Sequence, residues 1–116
     1  ATELAIAEPD VFTYTHIFKR PFSYNGVAHE SLTFDWGALT GKDHMAIENE
    51  ILRRGKTLIL PEWTSEFLCG MAVRACTTRN DEGFRVLSVE SLNAMPMRDF
   101  QMICKSARDF LLRAGS

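Results

Sequence analysis

P-M-R-D-F-Q-M-I-C-K-S-A-R-D-F-L-L-R-A, residues 96–114, is the stretch that decides the fold. At helical spacing Phe100, Ile103, Cys104, Ala107, Leu111 and Ala114 fall on one stripe, with Met97 and Phe110 at its edges. Asp99, Gln101, Lys105, Ser106, Asp109 and Arg113 take the opposite side. Pro96 suits the first helical position, where its missing N–H would be unpaired anyway. Asp99 in the first turn and Arg113 in the last complement the helix dipole, and Gly115 can end the helix. The spacing therefore predicts one long helix whose apolar stripe other elements must cover. Met102 and Leu112 project away from that stripe. They read either as ordinary scattered surface residues or as a second contact face for a partner.

Working outward, 116 residues fit one domain, large enough to bury roughly two-thirds of its unfolded surface without a metal or disulfide. The net charge of −2 and the scattered basic residues argue against nucleic acid as partner, since phosphate binding calls for a basic stripe. The nearest thing to a cluster is Arg53, Arg54 and Lys56. Cys69, Cys76 and Cys104 are odd in number and follow no secretory apolar region. They read as reduced thiols in or near the core of a cytoplasmic protein. No run approaches the length of a membrane span.

Before the long helix the pattern changes twice. Residues 1–10 lack a clear period, contain Pro9, and are expected to form a flexible tail; Leu4 and Ile6 would also let it dock on a neighbouring subunit. Residues 11–36 read as a β-hairpin: F-T-Y-T-H-I-F is rich in β-branched and aromatic residues, and Asn25-Gly26 is a two-residue turn signal. On the return strand Leu32, Phe34 and Trp36 alternate with Ser31, Thr33 and Asp35. A simple register across that turn places Ile17 opposite Phe34 and leaves Phe12, Tyr14, Phe18 and Phe22 on the other face. A bulge near Pro21 that shifts the register by one would bring the aromatics inward, with some aromatic surface still exposed.

Three more helices are predicted. Residues 40–54 begin at Thr40 as N-cap, with Asp43 in the capping-box position, and end at Gly55. Met45, Ile47, Ile51 and Leu52 form their apolar arc. Residues 64–78 bury Leu68, Met71, Ala72 and Ala75, while Gly70 slims the surface for close approach by another helix. Residues 88–94 form a short helix capped by Ser88, with Val89 and Leu92 buried. The architecture expected is α+β, an N-terminal β-hairpin followed by a compact group of about four helices, with residues 11–116 as a single domain.

Chemistry is hard to find. T-G-K-D at residues 40–43 lacks the earlier glycine of a phosphate loop, since Asp35 and Trp36 stand there, and Asp43 would repel phosphate; the helix cap explains it better. His44 and Glu48 lie one turn apart but have no third ligand nearby, so a side-chain pair, or Glu48 with Arg74, is expected instead of a metal. His16 and His29 read as surface or cross-strand residues. Only Arg74 near Cys76 and Lys105 beside Cys104 could activate a thiol, and structural roles fit the cysteines better. No nucleophile elbow, paired Cys-x-x-Cys, zinc-protease or dinucleotide motif is present. The expectation is a protein that is not an enzyme, with no catalytic residue, metal or cofactor. The hairpin aromatics could stack bases, but Glu30 and Asp35 on the partner strand favour a core or protein contact.

Three stretches in this order resemble the tail assembly chaperones of long-tailed bacteriophages, the Mu- and P2-type class. They are K-R-P-F-S-Y-N-G-V at residues 19–27, L-T-F-D-W-G-A-L-T-G-K-D at 32–43, and M-P-M-R-D-F-Q-M-I-C-K-S-A-R-D-F-L-L at 95–112. The resemblance covers nearly everything after the N-terminal tail. It implies a non-catalytic protein of phage or prophage that binds the tape-measure protein and keeps it soluble while the tail tube polymerises. It also implies action in the host bacterial cytoplasm, absence from the mature virion, self-association into a homo-oligomer, and contact with the tail tube protein. Many such proteins exist in two lengths through a ribosomal frameshift, and this chain resembles the short form. The partner-binding residues expected are Phe18 and Phe22 on the hairpin and Met102 and Leu112 on the last helix, one pair for self-association and the other for cargo. The alternative is a structural adaptor of head–tail connector type that stays in the particle. A helix-turn-helix regulator fits poorly, because the link over residues 56–60 is no tight turn and the next helix lacks basic residues at its start.

Overall fold

The computed structural model describes residues 12–24, 26–79, 83 and 86–114. The expected tail at residues 1–10, Asn25 and Gly115 lie outside the described residues. Strands β1 (Thr13–Tyr24) and β2 (Val27–Asp35) form an antiparallel hairpin. A 3₁₀ turn at Trp36–Ala38 leads to α1 (Gly41–Arg53), and a second at Pro61–Trp63 leads to α2 (Ser65–Ala75). Then come α3 (Val89–Ala94) and α4 (Met97–Asp109), which ends in a π-type turn over Phe110–Ala114. The fold is α+β, an N-terminal two-stranded hairpin followed by four helices.

Register decides which hairpin face is buried. Tyr24 pairs with Val27 and Phe22 with His29, as a tight turn demands, and Gly26 holds the positive φ of 78° that such a turn needs. Beyond that, Ile17 pairs with Ser31, Tyr14 with Phe34 and Thr13 with Asp35. From Phe22 to Ile17 the chain takes five steps on β1 against two on β2, so β1 carries three extra residues around Pro21. The sequence led us to expect a shift of one. Both numbers are odd, and an odd shift exchanges the faces of paired side chains. His16 and Phe18 therefore share the buried side with Leu32, Phe34 and Trp36, while Ile17 points outward, 74% exposed; Phe22, paired with His29 before the shift, is also buried and stacks near Phe18 at 5.6 Å.

The helices cover that inner face. Phe34 and Trp36 stack at 5.1 Å with planes 7° apart, and the Trp36 indole N–H donates to Ser106 Oγ of α4 at 2.9 Å. One core runs from these rings through Ile47 and Ile51 of α1, Phe67, Leu68, Met71 and Ala72 of α2, and Leu92 of α3. It ends on Ile103, Cys104 and Ala107 of α4, with Phe100, Phe110 and Leu111 partly buried beside them. Gly70 earns its place here: a Cβ at that position would lie 2.6 Å from Ile47 Cγ2, so α1 and α2 pack at a distance only glycine allows.

Several boundaries and faces differ from expectation for identifiable reasons. Pro96 is the N-cap residue of α4, not its first helical residue. The helix α2 stops at Ala75 instead of residue 78, because Cys76 bridges Phe34 and Thr77 N–H donates to Thr33 O at 2.8 Å. Backbone groups of that segment thus pair with β2 and not with the helix. Met45 and Leu52, placed in the apolar arc of α1, are 56% and 51% exposed, because only Ile47 and Ile51 face α2. Met97 is 74% exposed, outside the stripe of α4.

Candidate functional site

Two polar and apolar features stand out on α4. The first is buried. Tyr14 OH lies 2.8 Å from His16 Nδ1, and His16 Nε2 lies 2.7 Å from Asp99 Oδ1. A carboxylate only accepts, so Nε2 carries a proton, and in the neutral imidazole Nδ1 then accepts from the phenol. The chain Tyr14→His16→Asp99 has a donor for every acceptor. Burial, and then the nearby Asp99 charge, push the Tyr14 phenol above its usual pKa, which disfavours a phenolate. His16 is 1% exposed and stacked edge-on against Phe18 at 4.8 Å, so no solvent-borne substrate reaches its ring. The arrangement ties β1 to the first turn of α4, where the dipole also favours the Asp99 carboxylate. Sequence reading gave His16 as a surface or cross-strand residue and missed this link, since nothing local connects residues 83 positions apart.

The second feature is open. Between the Pro61–Trp63 turn, the start of α2 and the outer side of α4 runs a groove of about 690 Å³. Trp63, Met97, Phe100, Arg108 and Leu112 give it its character. Trp63 is 60% exposed and Leu112 48%. The Arg108 guanidinium lies over the Trp63 ring at 5.0 Å, and its Nε is buried without a hydrogen-bond partner among the described residues. Lys105 on the rim is paired with Asp109 at 3.0 Å. A groove with Trp63, Met97, Phe100 and Leu112 on its apolar side and Gln101, Lys105, Arg108 and Asp109 among its polar lining suits an amphipathic segment.

The expected partner-binding residues divide. Leu112 lines this groove, and Met102 is 40% exposed on the same helix but outside the groove lining. Phe18 and Phe22 require correction: they are 6% and 9% exposed and belong to the core. They offer no face to a partner in this structure. Trp63, Met97 and Arg108 went unrecognised in the sequence. The available signal was a tryptophan in a link, two residues after Pro61, where a core residue has no reason to be.

Other sequence candidates resolve simply. His44 and Glu48 form a loose pair at 4.0 Å, but Arg74 goes to Asp43 at 2.8 Å and not to Glu48. Asp43 also accepts from Thr40 N–H at 2.9 Å, the capping contact foreseen. These two partners, the Thr40 backbone first, hold its carboxyl below the usual range. Among the described residues no group of three His, Cys, Asp or Glu is placed to hold a metal ion, and no helix is long and apolar enough to cross a membrane. The three cysteines are buried, and none is joined in a disulfide. Comparison of the chain with protein-family models, with curated proteins and with solved structures finds no match.

Proposed function

We propose that this protein is a non-catalytic tail assembly chaperone of a phage or prophage, binding the tape-measure protein in the host cytoplasm and absent from the finished particle. The observation that carries the reading is the groove of Trp63, Met97 and Leu112, whose exposed apolar side chains lie among polar ones outside the core of the described residues. A tape-measure protein presents long apolar helical faces that aggregate when bare. A trough with aromatic and aliphatic walls and the Arg108 guanidinium beside it can take one such face, with a carboxylate on the incoming helix meeting the arginine. The resemblance of residues 19–27, 32–43 and 95–112 to that chaperone family supports the same reading. Exposed Met45 and Leu52 on α1 are among the apolar surface that self-association into a homo-oligomer could use, and a tail tube protein is a further partner the reading allows.

Co-expression with the tape-measure protein of the same phage tests it. The two proteins should co-purify, and the tape measure should stay soluble only with the chaperone present. A Leu112→Asp, Met97→Asp double variant, altered only at exposed positions, should lose both properties. Finding the protein by mass spectrometry in purified virions would replace this reading with that of a head–tail adaptor.

A further inference from the structure

The outer side of α4 carries a second periodicity beside its buried stripe. Met102, Lys105, Asp109 and Leu112 follow one another at intervals of three, four and three residues. That is the spacing of a coiled-coil seam, whose positions alternate between a and d. The structure turns this seam outward. Met102, Lys105 and Leu112 are exposed and Asp109 is partly so. Asp99 and Ser106, which bond to His16 and Trp36, hold another side of the helix against the hairpin.

The order of the four residues makes the seam complementary to itself. From one end it runs apolar, cation, anion, apolar. When two copies of α4 lie antiparallel about a two-fold axis at the level of Ala107, Met102 of each meets the second copy's Leu112. Lys105 of each meets the second copy's Asp109, and every contact occurs twice, as an isologous interface requires. A parallel pair would set lysine on lysine and aspartate on aspartate, and like charges facing one another across an interface are costly. Lys105 Nζ already lies 3.0 Å from Asp109 Oδ2 within one chain, so both charges are held on the seam before a partner arrives.

We propose that the outer seam of α4 is a homodimer interface, in which a second copy of this chain packs antiparallel through Met102–Leu112 and Lys105–Asp109 layers. From Met102 to Leu112 the seam covers roughly 15 Å of helix axis. A contact one helix wide over that length falls well below the roughly 800 Å² per partner of a standard interface, so the dimer is weak and reversible. Lys105, Asp109 and Leu112 also border the Trp63 groove, whereas Met102 lies outside its lining. Met102 is therefore the position at which self-association is separable from occupation of the groove. The inference stands apart from the proposed function, because it concerns the chain alone and needs no cargo.

The test is sedimentation equilibrium of the full chain by itself, over a dilution series from micromolar to millimolar. The wild type should pass reversibly from monomer to dimer. Met102→Asp should weaken the dimer about tenfold or more, since it sets a carboxylate against an apolar side chain. Met45→Asp, on α1, should leave it unchanged. Lys105→Asp and Asp109→Lys should each stay monomeric, because both charged layers then face their like. Mixed in equal amounts, these two variants should form a heterodimer, because both layers are opposite in charge again. One chain carrying both substitutions should dimerise as the wild type does. A wild type that stays monomeric throughout overturns the proposal. So does association that survives Met102→Asp or is lost with Met45→Asp, or a mixture of the two charge variants, each folded by circular dichroism, that fails to associate. The wild-type series needs no variant, and association of the mixture itself shows that both charge variants are folded.

Discussion

His16 Nε2 lies 2.7 Å from Asp99 Oδ1, joining the first strand to the first turn of the last helix across 83 positions of sequence. With Tyr14 OH on the other ring nitrogen, the imidazole has both its nitrogens occupied inside the core. Removing one partner leaves a buried polar group unsatisfied, which costs more than the bond itself contributes.

Asp99→Ala should therefore destabilise the protein by about 1–3 kcal/mol, through the stranded His16 N–H. Urea denaturation would measure it. A double-mutant cycle of Tyr14→Phe with Asp99→Ala should give a non-zero coupling, because both substitutions act on one ring. Additive effects would mean that the three groups do not act as one network.

Gly70→Ala sets a helix propensity gain of about 1 kcal/mol against the 2.6 Å approach to Ile47 Cγ2. Overpacking a core contact costs about 1–3 kcal/mol, so the net effect expected is loss of stability. Combining it with Ile47→Ala, which removes the obstructing atoms, should cost less than the sum of the two single changes. Thermal melts of the four proteins would decide.

The acid limb of stability should depend on Asp43. Its folded pKa is lowered by the Thr40 N–H and by Arg74. The stabilisation is then fully present above the unfolded carboxyl pKa, about 3.9, and lost as pH falls through the lower folded value. Asp43→Asn should flatten the fall in melting temperature over that window and leave its slope near neutrality unchanged. Tyr14 behaves oppositely: its pKa is raised, so its contribution is present below about pH 10 and lost as pH rises through the folded value.

Phe18 and Phe22 should behave as core residues and Leu112 as a surface one. Phe18→Ala should cost about 3–5 kcal/mol of folding stability. Leu112→Asp, at a position 48% exposed, should change stability by no more than about 0.5 kcal/mol while abolishing tape-measure solubilisation. Circular dichroism melts beside the co-expression assay separate the two effects. A large stability loss at Leu112 would show that the residue is structural.

Much of the fold was legible because its determinants are short-range. The tight turn around Gly26, the Thr40–Asp43 cap, the Ser88 cap of α3 and the Ile103–Cys104–Ala107 stripe each depend on residues within one or two turns of one another. The slimness of Gly70 also predicted a close helix neighbour, though not that it would be Ile47. The surface was less legible. Met45, Leu52 and Met97 carry the composition of a buried face, yet which edge of an apolar arc is covered depends on the neighbouring helix.

Sequence alone determined the order and type of the main elements and the Thr40 and Ser88 caps, because hydrogen-bonded turns and side-chain periods are local. Tertiary structure alone decided the size of the register shift around Pro21 and the burial of Phe18 and Phe22. It alone brought Asp99 to His16 and Arg108 over Trp63. Each of those contacts joins positions far apart in the chain. Its existence depends on how whole elements pack, and no window of neighbouring residues contains that information.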